Sequence, residues 1–323
     1  LLHAAKIAEK MGAQIMGLGA FTKVVGDAGV TVAKRASIPI TTGNSYSASG
    51  ALWAAADAMR RMGLVKIDPV TKKVAAKTMV IGASGSIGSV SARLLAMAFD
   101  EVYIAGRTLS KLEALRDSIL EETPDAKVVA TTDYNELLGD MDMIVTSTSG
   151  AGKEILDIMR VKPGCVITDV ARPLDLPASD VAKRPDVLVI ESGEIQLPGN
   201  VEMKNIGLPK GVAYACLAET IVLALEGRFE NFTVGRAIEW EKVREIYKLG
   251  IKHGMKLAEI SGVNGPFSDE DIERVRELAL VARAKQMQAP ARKPARRAAP
   301  AKKAAPAKAA PRRTRAKAAP AAA

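Results

Sequence analysis

Short apolar runs of strand length alternate with segments of helical spacing between residues 77 and 191. The pattern predicts helices over 86–98 and 110–120. It predicts buried strands over 77–82, 101–105, 127–131, 142–146, 165–169 and, as the last strand of the chain, 187–191. Strands separated by helices of this length are typical of βαβ units in a parallel sheet, which binds ligands at the carboxyl ends of its strands. The sequence therefore predicts an α/β fold with a Rossmann-like, doubly wound parallel sheet.

Helical patterns dominate on both sides of this predicted sheet. Before the sheet, the pattern predicts helices over 1–16 and 45–62, with a glycine-rich turn at 16–20. After about residue 205 it predicts only helices, over 212–225, 239–260 and 269–285. Ser268 and the acids that follow it are an N-cap signal for the last of these helices. We expect the two flanks to form one mostly helical substrate domain.

These patterns divide the chain into four parts. The predicted parts are a substrate-side segment over 1–63, an NADP-binding Rossmann domain over 64–205, a C-terminal helical segment over 206–284 and a disordered tail over 285–323. The chain opens on Leu1 rather than Met, and its first residues already have the pattern of the middle of a helix. We therefore expect a further N-terminal part of the substrate domain to precede residue 1.

The formal net charge of +10 is concentrated at the C-terminus. Residues 285–323 contain 12 Lys and Arg and no acidic residue. Subtracting these 12 from the 46 basic residues leaves 34 against 36 acidic residues in 1–284. The tail is rich in Ala and Pro, so it cannot build a core. We expect a flexible polycation that contacts an acidic protein, an anionic membrane surface or nucleic acid, or a solubilising appendage with no partner.

Cysteine and histidine are scarce, with two of each in 323 residues. Two cysteines exclude a disulfide scaffold and suggest a reducing compartment. The sequence has no apolar run of about 20 residues, the length that a transmembrane helix requires. We therefore expect a cytoplasmic protein, without a transmembrane segment and without a zinc or iron–sulfur site.

A glycine-rich loop follows the first predicted strand directly and opens a helix, with the spacing G-x-x-G-x-x-G. Glycines in such a turn let the backbone approach a pyrophosphate, and the helix N-terminus supplies N–H donors. Between a strand and a helix this spacing predicts a dinucleotide site. The candidate cofactor-binding residues of the loop are Gly82, Ser84, Gly85, Ser86, Ile87 and Gly88.

The residues after the second strand favour NADPH over NADH. NAD sites usually have Asp or Glu there, whereas this chain has Arg107 and Thr108. A guanidinium can pair bidentately with a 2′-phosphate. Alternatively, Arg107 is structural and pairs with an acid. Ser147 and Thr148 follow a later strand, at the expected edge of the nicotinamide pocket.

The two cysteines have different surroundings. Cys165 lies among apolar strand residues and is predicted to be a small buried hydrophobe. Cys216 lies near the beginning of a predicted helix, a position that favours the thiolate form. From the residues alone, Cys216 is either a core residue or a nucleophile. Glu219, Asn44 and His253 are polar candidates for positioning or proton transfer.

Seven motifs, in this order along the chain, resemble the long-chain acyl-[acyl-carrier-protein] reductases, which are aldehyde-forming enzymes of cyanobacterial type. The motifs are 41–44 (TTGN), 80–89 (VIGASGSIGS), 215–219 (ACLAE), 226–227 (EG), 231–232 (NF), 235–236 (GR) and 252–254 (KHG). The resemblance covers about residues 4–258. The last predicted helix and the tail depart from the family pattern.

In that family a cysteine carries the acyl group as a thioester, which NADPH then reduces. The resemblance therefore implies that Cys216 is the acyl acceptor. It also implies a substrate carried by acyl carrier protein or CoA, and a downstream enzyme that consumes the aldehyde. Asn44, Glu219 and His253 remain candidates for supporting roles.

Two other functions fit parts of the same pattern. A shikimate-dehydrogenase-type enzyme, which interconverts a hydroxyl and a ketone with NADP, shares the glycine loop and the Arg-Thr after the second strand. Its Lys–Asp catalytic pair would lie in the missing N-terminal part. A catalytically silent nucleotide sensor could bind nucleic acid through the tail, although the net charge of −2 in 1–284 argues against nucleic acid elsewhere.

Overall fold

Strands and helices alternate along the chain in the computed structural model, which describes residues 1–19, 26–149, 154–171, 173–191, 193–203 and 206–288. The elements before the central sheet are α1 (Leu2–Lys10), β1 (Met16–Gly17), α2 (Val30–Arg35), β2 (Ile40–Thr41) and α3 (Asn44–Met62). The central elements are β3 (Val74–Ile81), α4 (Ser86–Ala98), β4 (Phe99–Ala105), α5 (Leu109–Glu122), β5 (Val128–Thr131), β6 (Met143–Thr146), β7 (Val166–Asp169), α6 (Ala178–Val181) and β8 (Leu188–Glu191). The elements that follow are β9 (Glu194–Gln196), β10 (Val212–Tyr214), α7 (Ala215–Glu226), α8 (Trp240–Lys252), β11 (Lys256–Leu257), β12 (Ser261–Gly262), β13 (Gly265–Pro266) and α9 (Asp269–Gln288).

Six strands run parallel in the central sheet, in the order β5-β4-β3-β6-β7-β8. The order reverses between β3 and β6, because the chain winds first toward β5 and then, from β6, toward β8. In an open α/β sheet such a switch point leaves a crevice at the carboxyl ends of the two strands, where nucleotides bind. The predicted Rossmann-like α/β class is therefore confirmed.

Apolar side chains cover both faces of this sheet. Val80 and Val145 face α3, α4 and α9, in a core that includes side chains from all three helices. Met79, Ile144 and Ile167 face the opposite side, where they pack against the connections after β5, β6 and β7. Because both faces are covered, the strands appear in the sequence as continuous hydrophobic runs instead of alternating ones.

Helix α3 belongs to two hydrophobic cores. In its C-terminal half, Ala54 and Ala58 pack in the core of the sheet, where small side chains permit a close approach. Near its beginning, Tyr46 packs with Ile195 of β9 and Ile246 of α8 in a second core. The three-stranded sheet β10-β9-β11 contributes to that second core. Helix α3 therefore joins the central sheet to the flanking elements.

Most predicted elements are found where the pattern indicated them. The helices predicted over 45–62, 86–98, 110–120 and 269–285 and all six strands are confirmed to within three residues at each end. The N-cap signal at Ser268 is confirmed, since its hydroxyl accepts the Asp271 N–H at 3.1 Å. None of the described helices is both long enough and apolar enough to span a bilayer. The four domain boundaries stay a prediction.

The prediction for the N-terminal segment is wrong in two places. The helix predicted over 1–16 ends at Lys10, followed by Gly12 with φ +89°. The predicted glycine-rich turn instead begins with β1, which pairs in parallel with β2. A two-residue strand depends on a partner more than twenty residues away, so local periodicity does not reveal it.

The C-terminal flank was predicted to be all helical, but it also contains strands, so the strand predicted over 187–191 is not the last one. The helix predicted over 212–225 begins only at Ala215, because the preceding residues form β10 and pair with β9. The helix predicted over 239–260 ends at Lys252, and β11 follows and also pairs with β9. Helix α9 continues to Gln288, so the first four residues of the predicted tail are helical. Residues 289–323 lie outside the described residues.

Gly17 allows β1 to approach α7 closely, and this contact predicts a stability effect. A Cβ at Gly17 would overlap Thr220 Oγ1 on α7. We expect Gly17→Ala to lower the free energy of unfolding by about 1–3 kcal/mol, the usual cost of overpacking. Urea denaturation followed by circular dichroism measures this change.

A second substitution separates this overlap from a general effect of alanine. Thr220→Ala removes the overlapping oxygen, so Gly17→Ala/Thr220→Ala should recover most of the lost stability. Gly139→Ala is the control, because a Cβ there would lie at an ordinary 3.5 Å from Arg160 O. An equal loss of stability in the single and the double variant would contradict the packing of β1 on α7.

Candidate functional site

The glycine loop forms a backbone cradle at the switch point. Gly82 has φ +85°, and a Cβ there would lie 2.8 Å from Ser147 O. A Cβ at Gly88 would lie 2.8 Å from Ser147 Oγ and would also overlap Gly82 O, so α4 packs directly on the turn. In the described structure no side chain caps α4 at Gly85. Ser84 and Gly85 are exposed.

The first-turn N–H groups of α4, at Ser86, Ile87 and Gly88, therefore lie at the carboxyl end of β3 without a side-chain cap. A helix N-terminus of this kind attracts phosphate through its N–H donors and its dipole. The glycines at 82, 85 and 88 let a pyrophosphate approach the backbone. The described residues thus fit a dinucleotide at this position.

Ser147 and Thr148 form the wall of the crevice at the carboxyl end of β6. The Ser147 N–H donates to Ile81 O at 3.0 Å, which closes β6 onto β3. Thr148 donates twice to the buried Asp175, from its N–H at 3.0 Å and from its hydroxyl at 2.6 Å. Both residues therefore lie at the crevice of the switch point, and Asp175 fixes the orientation of Thr148.

Arg107 and Thr108 lie at the carboxyl end of β4, and both are exposed. Within the described residues, Arg107 forms no ion pair that would favour the structural alternative. Thr108 is the N-cap residue of α5, and its carbonyl accepts the Leu112 N–H at 3.3 Å. The Arg107 guanidinium is thus available to a phosphate of a bound nucleotide.

Cys216 lies where the N-termini of two helices meet. It is the second residue of α7 and is partly exposed. Gly43, the N-cap of α3, has φ +74°, and a Cβ there would lie 2.6 Å from Cys216 Cβ. Only glycine fits this position, because any other residue would be strained and would overlap Cys216. The positive ends of α3 and α7 both favour an anion here.

Cys165 has the opposite environment. It is fully buried in the core on the other face of the sheet. Burial raises the pKa of the Cys165 thiol far above its usual range, so the thiolate does not form there. Its predicted burial is confirmed. Cys216 is the cysteine that is accessible to a ligand.

Glu219 is the most deeply buried of the candidate site residues. It has no exposed surface, and its carboxylate accepts hydrogen bonds from the Thr41 hydroxyl and, at 2.8 Å, from the Tyr46 N–H. No Lys or Arg of the described chain forms an ion pair with it. Burial raises the pKa of Glu219, and hydrogen bonds from Thr41, Tyr46, Thr233 and the Gly43 backbone oppose that rise. Asn44 is the first residue of α3 and is also buried.

His253 is not brought to Cys216. It ends α8, and its Nε2 lies 2.6 Å from Oε2 of Glu226, the last residue of α7. Lys252 also contacts Glu226, at 2.7 Å, and the hydrogen bonds from Lys252 and His253 lower the pKa of that carboxyl. Ten residues of helix separate Cys216 from Glu226, about 15 Å at 1.5 Å per residue. The structure therefore places His253 at the end of α7 opposite to Cys216.

The first turns of α3 connect the two halves of the site. Ala48 packs with Ile87 at the beginning of α4 and with Trp240 at the beginning of α8. Gly43, one turn earlier, touches Cys216. One helix thus contacts both the beginning of α4 and Cys216. In the described part of the chain, no three His, Cys, Asp or Glu residues are grouped so that they could hold a metal ion.

Sequence reasoning did not identify the threonines that order this region. The Thr233 N–H donates to Thr41 Oγ1 at 3.2 Å, and the Thr233 hydroxyl donates to Ser45 at 2.7 Å. A single threonine carries no local signal of such a role. The only available signal was the resemblance itself, which includes Thr41 in the motif at 41–44.

Sequence reasoning treated Asp169 and the loop after it as a candidate wall of the pocket or a plain connection, and it assigned no role to the Asp169 carboxylate. It is buried at the carboxyl end of β7, where it accepts the N–H groups of Leu176 at 2.9 Å and Ala171 at 3.1 Å. Burial raises its pKa to about 6. The carboxylate thus orders the loop after β7, next to the crevice.

Comparisons with known proteins agree with this geometry. Residues 68–196 match the family model described as "Shikimate / quinate 5-dehydrogenase". Aminotransferase PigE of Serratia is 33% identical over 75% of this chain, and the chain spans 28% of its length. The long-chain acyl-[acyl-carrier-protein] reductase of Synechococcus elongatus is 24% identical over 79% of this chain and 75% of that protein.

Two solved structures of similar proteins are dehydrogenases. Quinate dehydrogenase of Corynebacterium glutamicum, in complex with NAD, is 12% identical, with a TM-score of 0.36 over 87% of this chain and 82% of its own. Shikimate 5-dehydrogenase of Listeria monocytogenes, in complex with shikimate and NAD, is also 12% identical, with a TM-score of 0.36 over 58% of this chain and 71% of its own.

The doubly wound sheet, the glycine cradle at its switch point and the family match together place the chain in the class of NAD(P)-dependent oxidoreductases. NADPH is consistent with that class. Cys216 lies outside the matched region.

Asp169 predicts a pH dependence of stability. Because burial raises its pKa from 3.8 to about 6, the folded protein binds this proton more tightly than the unfolded chain. Stability from this group is therefore present below about pH 4 and is lost as the pH rises to about 6. Two pKa units correspond to about 3 kcal/mol. In Asp169→Asn, the free energy of unfolding should not show this decrease between pH 4 and 6. Urea denaturation at pH 4, 5, 6 and 7 measures it.

The control is Asp133→Asn, which changes an exposed aspartate. It should keep the pH dependence of the unsubstituted protein. If Asp169→Asn lost as much stability between pH 4 and 6 as the unsubstituted protein does, the buried carboxyl would not titrate in that range.

Proposed function

We propose that this chain reduces a long-chain fatty acyl thioester to a fatty aldehyde with NADPH, through an acyl-enzyme on Cys216. The observation that carries the proposal is the position of Cys216, partly exposed between the N-termini of α3 and α7. A buried core cysteine, like Cys165, has no such environment. The reductase of Synechococcus elongatus, which is similar along most of its length, supports the same chemistry.

In the first step the Cys216 thiolate attacks the thioester carbonyl. A bond forms between Cys216 Sγ and the acyl carbon, the carbon–sulfur bond to the carrier breaks, and the carrier leaves as its thiol after it takes up a proton. The N-termini of α3 and α7 favour negative charge, both on the thiolate and on the carbonyl oxygen of the tetrahedral intermediate.

In the second step the acyl group on Cys216 is reduced. NADPH, when bound, supplies the hydride that adds to the carbonyl carbon. The same N–H donors then stabilise the oxyanion until the bond to Cys216 Sγ breaks. The aldehyde leaves, and the thiolate of Cys216 is restored for the next cycle. Helix α3 contacts both α4, which begins at the cradle, and Cys216, so it links the cofactor side of the site to the thiol side.

The residues around the cradle support NADPH as the cofactor. Gly82 and Gly88 would hold the pyrophosphate against the N-terminus of α4, and Arg107 would pair with the 2′-phosphate. Ser147 and Thr148 would line the nicotinamide side. Acyl carrier protein or CoA as carrier, an aldehyde-consuming enzyme downstream and an acidic or anionic partner for the tail belong to the same proposal.

The second candidate is NADP-dependent hydroxyl–ketone chemistry of the shikimate-dehydrogenase type. The family match over residues 68–196 favours it. That match includes the glycine cradle but ends before Cys216, so it supports the cofactor more than the substrate. The two candidates differ in their need for a thiol, because ketone reduction proceeds without an acyl-enzyme.

Cys216→Ser tests the proposed chemistry. The serine hydroxyl is a much weaker nucleophile at neutral pH, so aldehyde formation from a C16–C18 acyl thioester should fall by about a thousandfold or more. Mass spectrometry without NADPH should detect an acyl adduct on the peptide that contains Cys216. Cys165→Ser is the matched control and should retain activity. Aldehyde formation at an unchanged rate by Cys216→Ser would exclude the acyl-enzyme.

Arg107→Ala tests the choice of cofactor. Hydrogen bonds to a charged group are worth about 1.5–3 kcal/mol, so NADPH binding should weaken by that amount, as measured by fluorescence titration. NADH lacks the 2′-phosphate and is the control ligand, and its binding should barely change. Equal losses for both nucleotides would show that Arg107 is structural.

A further inference from the structure

The carboxylate of Glu219 joins three segments that are distant in the sequence. It lies on α7 and accepts hydrogen bonds from the Thr41 hydroxyl at the end of β2 and from the Tyr46 N–H in α3. Thr41 in turn accepts the Thr233 N–H at 3.2 Å. Because Glu219 has no exposed surface, water cannot replace these contacts.

Glu219 takes the place of the missing side-chain cap of α3. The N-cap residue is Gly43, and it has no side chain that could accept an N–H from the first turn. Tyr46 is the third residue of α3, and its N–H is one that an N-cap side chain ordinarily accepts. A carboxylate from α7 accepts it instead. The cap of α3 is therefore supplied by another helix.

The same carboxylate is located one turn from the thiol. Cys216 and Glu219 are three residues apart in α7, so they share a face of the helix. Gly43 packs on the backbone of Cys216 at the point where Glu219 caps α3. Glycine at this position is needed for the contact, and glycine cannot cap the helix. The cap from α7 compensates for that loss.

We propose that Glu219 is a positioning residue, which holds the first turn of α3 against α7 so that both helix N-termini act on Cys216. It does not transfer protons to the substrate, because it is fully buried and already accepts hydrogen bonds from Thr41 and Tyr46. The inference rests on the proposed function only in taking Cys216 as the reactive thiol.

Two adjacent threonines provide a matched pair of variants. Thr41 and Thr42 are both buried, and valine has nearly the same shape as threonine. Only Thr41 donates to Glu219, whereas the Thr42 hydroxyl has no partner among the described residues. Thr41→Val removes a donor to Glu219 and the acceptor of the Thr233 N–H, and both losses loosen the cap from α7. Thr42→Val removes a neighbouring hydroxyl without removing either contact.

The readout is the rate of alkylation of Cys216 by iodoacetamide, in a Cys165→Ser background that leaves a single thiol. We expect Thr41→Val to slow alkylation at least fivefold at neutral pH, because the positive end of α3 moves away from the thiolate. Thr42→Val should stay within twofold of the parent. Equal rates in the two variants, or a fivefold fall in both, would overturn the inference.

Glu219→Gln and Glu219→Ala separate positioning from proton transfer. Glutamine keeps one acceptor oxygen for the cap and cannot exchange a proton, whereas alanine has no acceptor at all. We expect Glu219→Gln to retain an alkylation rate within threefold of the parent, and Glu219→Ala to resemble Thr41→Val. If aldehyde formation is observed, kcat should follow the same order.

A Glu219→Gln protein that is as slow as Glu219→Ala in kcat, but normal in alkylation, would show proton transfer instead. Circular dichroism on each variant excludes unfolding as the cause of a lost rate. Alkylation needs neither NADPH nor an acyl thioester. The alkylation assay therefore tests the positioning role of Glu219 even if the chain does not reduce an acyl thioester, so the two proposals can fail separately.

Discussion

The contact between Gly43 and Cys216 is the constraint on which the site depends. It requires a residue without a side chain, in a left-handed conformation, at the beginning of a 19-residue helix. That residue cannot cap the helix, so a buried carboxylate from the facing helix does so. Burying Glu219 without a cation costs free energy. In return, two helix N-termini are held at one thiol.

Helix α3 connects this local arrangement to two hydrophobic cores of the protein. Its alanine-rich half packs in the core of the parallel sheet, and its first turns belong to the flanking core. A shift of α3 would therefore move the cradle and the thiol relative to each other. The order of the sheet positions the glycine cradle, and α3 links the beginning of α4 to the segment that carries Cys216.

Local patterns predicted the central sheet well, because each strand and helix there is defined by its own hydrophobic run or its own spacing. The glycine spacing at 82–88 likewise depends on adjacent residues. The short strands β1, β10 and β11 were missed, because each has only two or three residues and forms through pairing with a distant segment. Competition from that pairing also shortened the helices predicted over 212–225 and 239–260.

The sequence by itself determined the fold class, the nucleotide loop and the presence of a cysteine near a helix start, since these follow from neighbouring residues. Only the tertiary structure decided the environment of that cysteine. It placed Gly43 against Cys216, buried Glu219 under Thr41 and Tyr46, and put His253 at the other end of α7. The physical reason is that burial and the meeting of two helix ends arise from packing between segments about 170 residues apart in the chain.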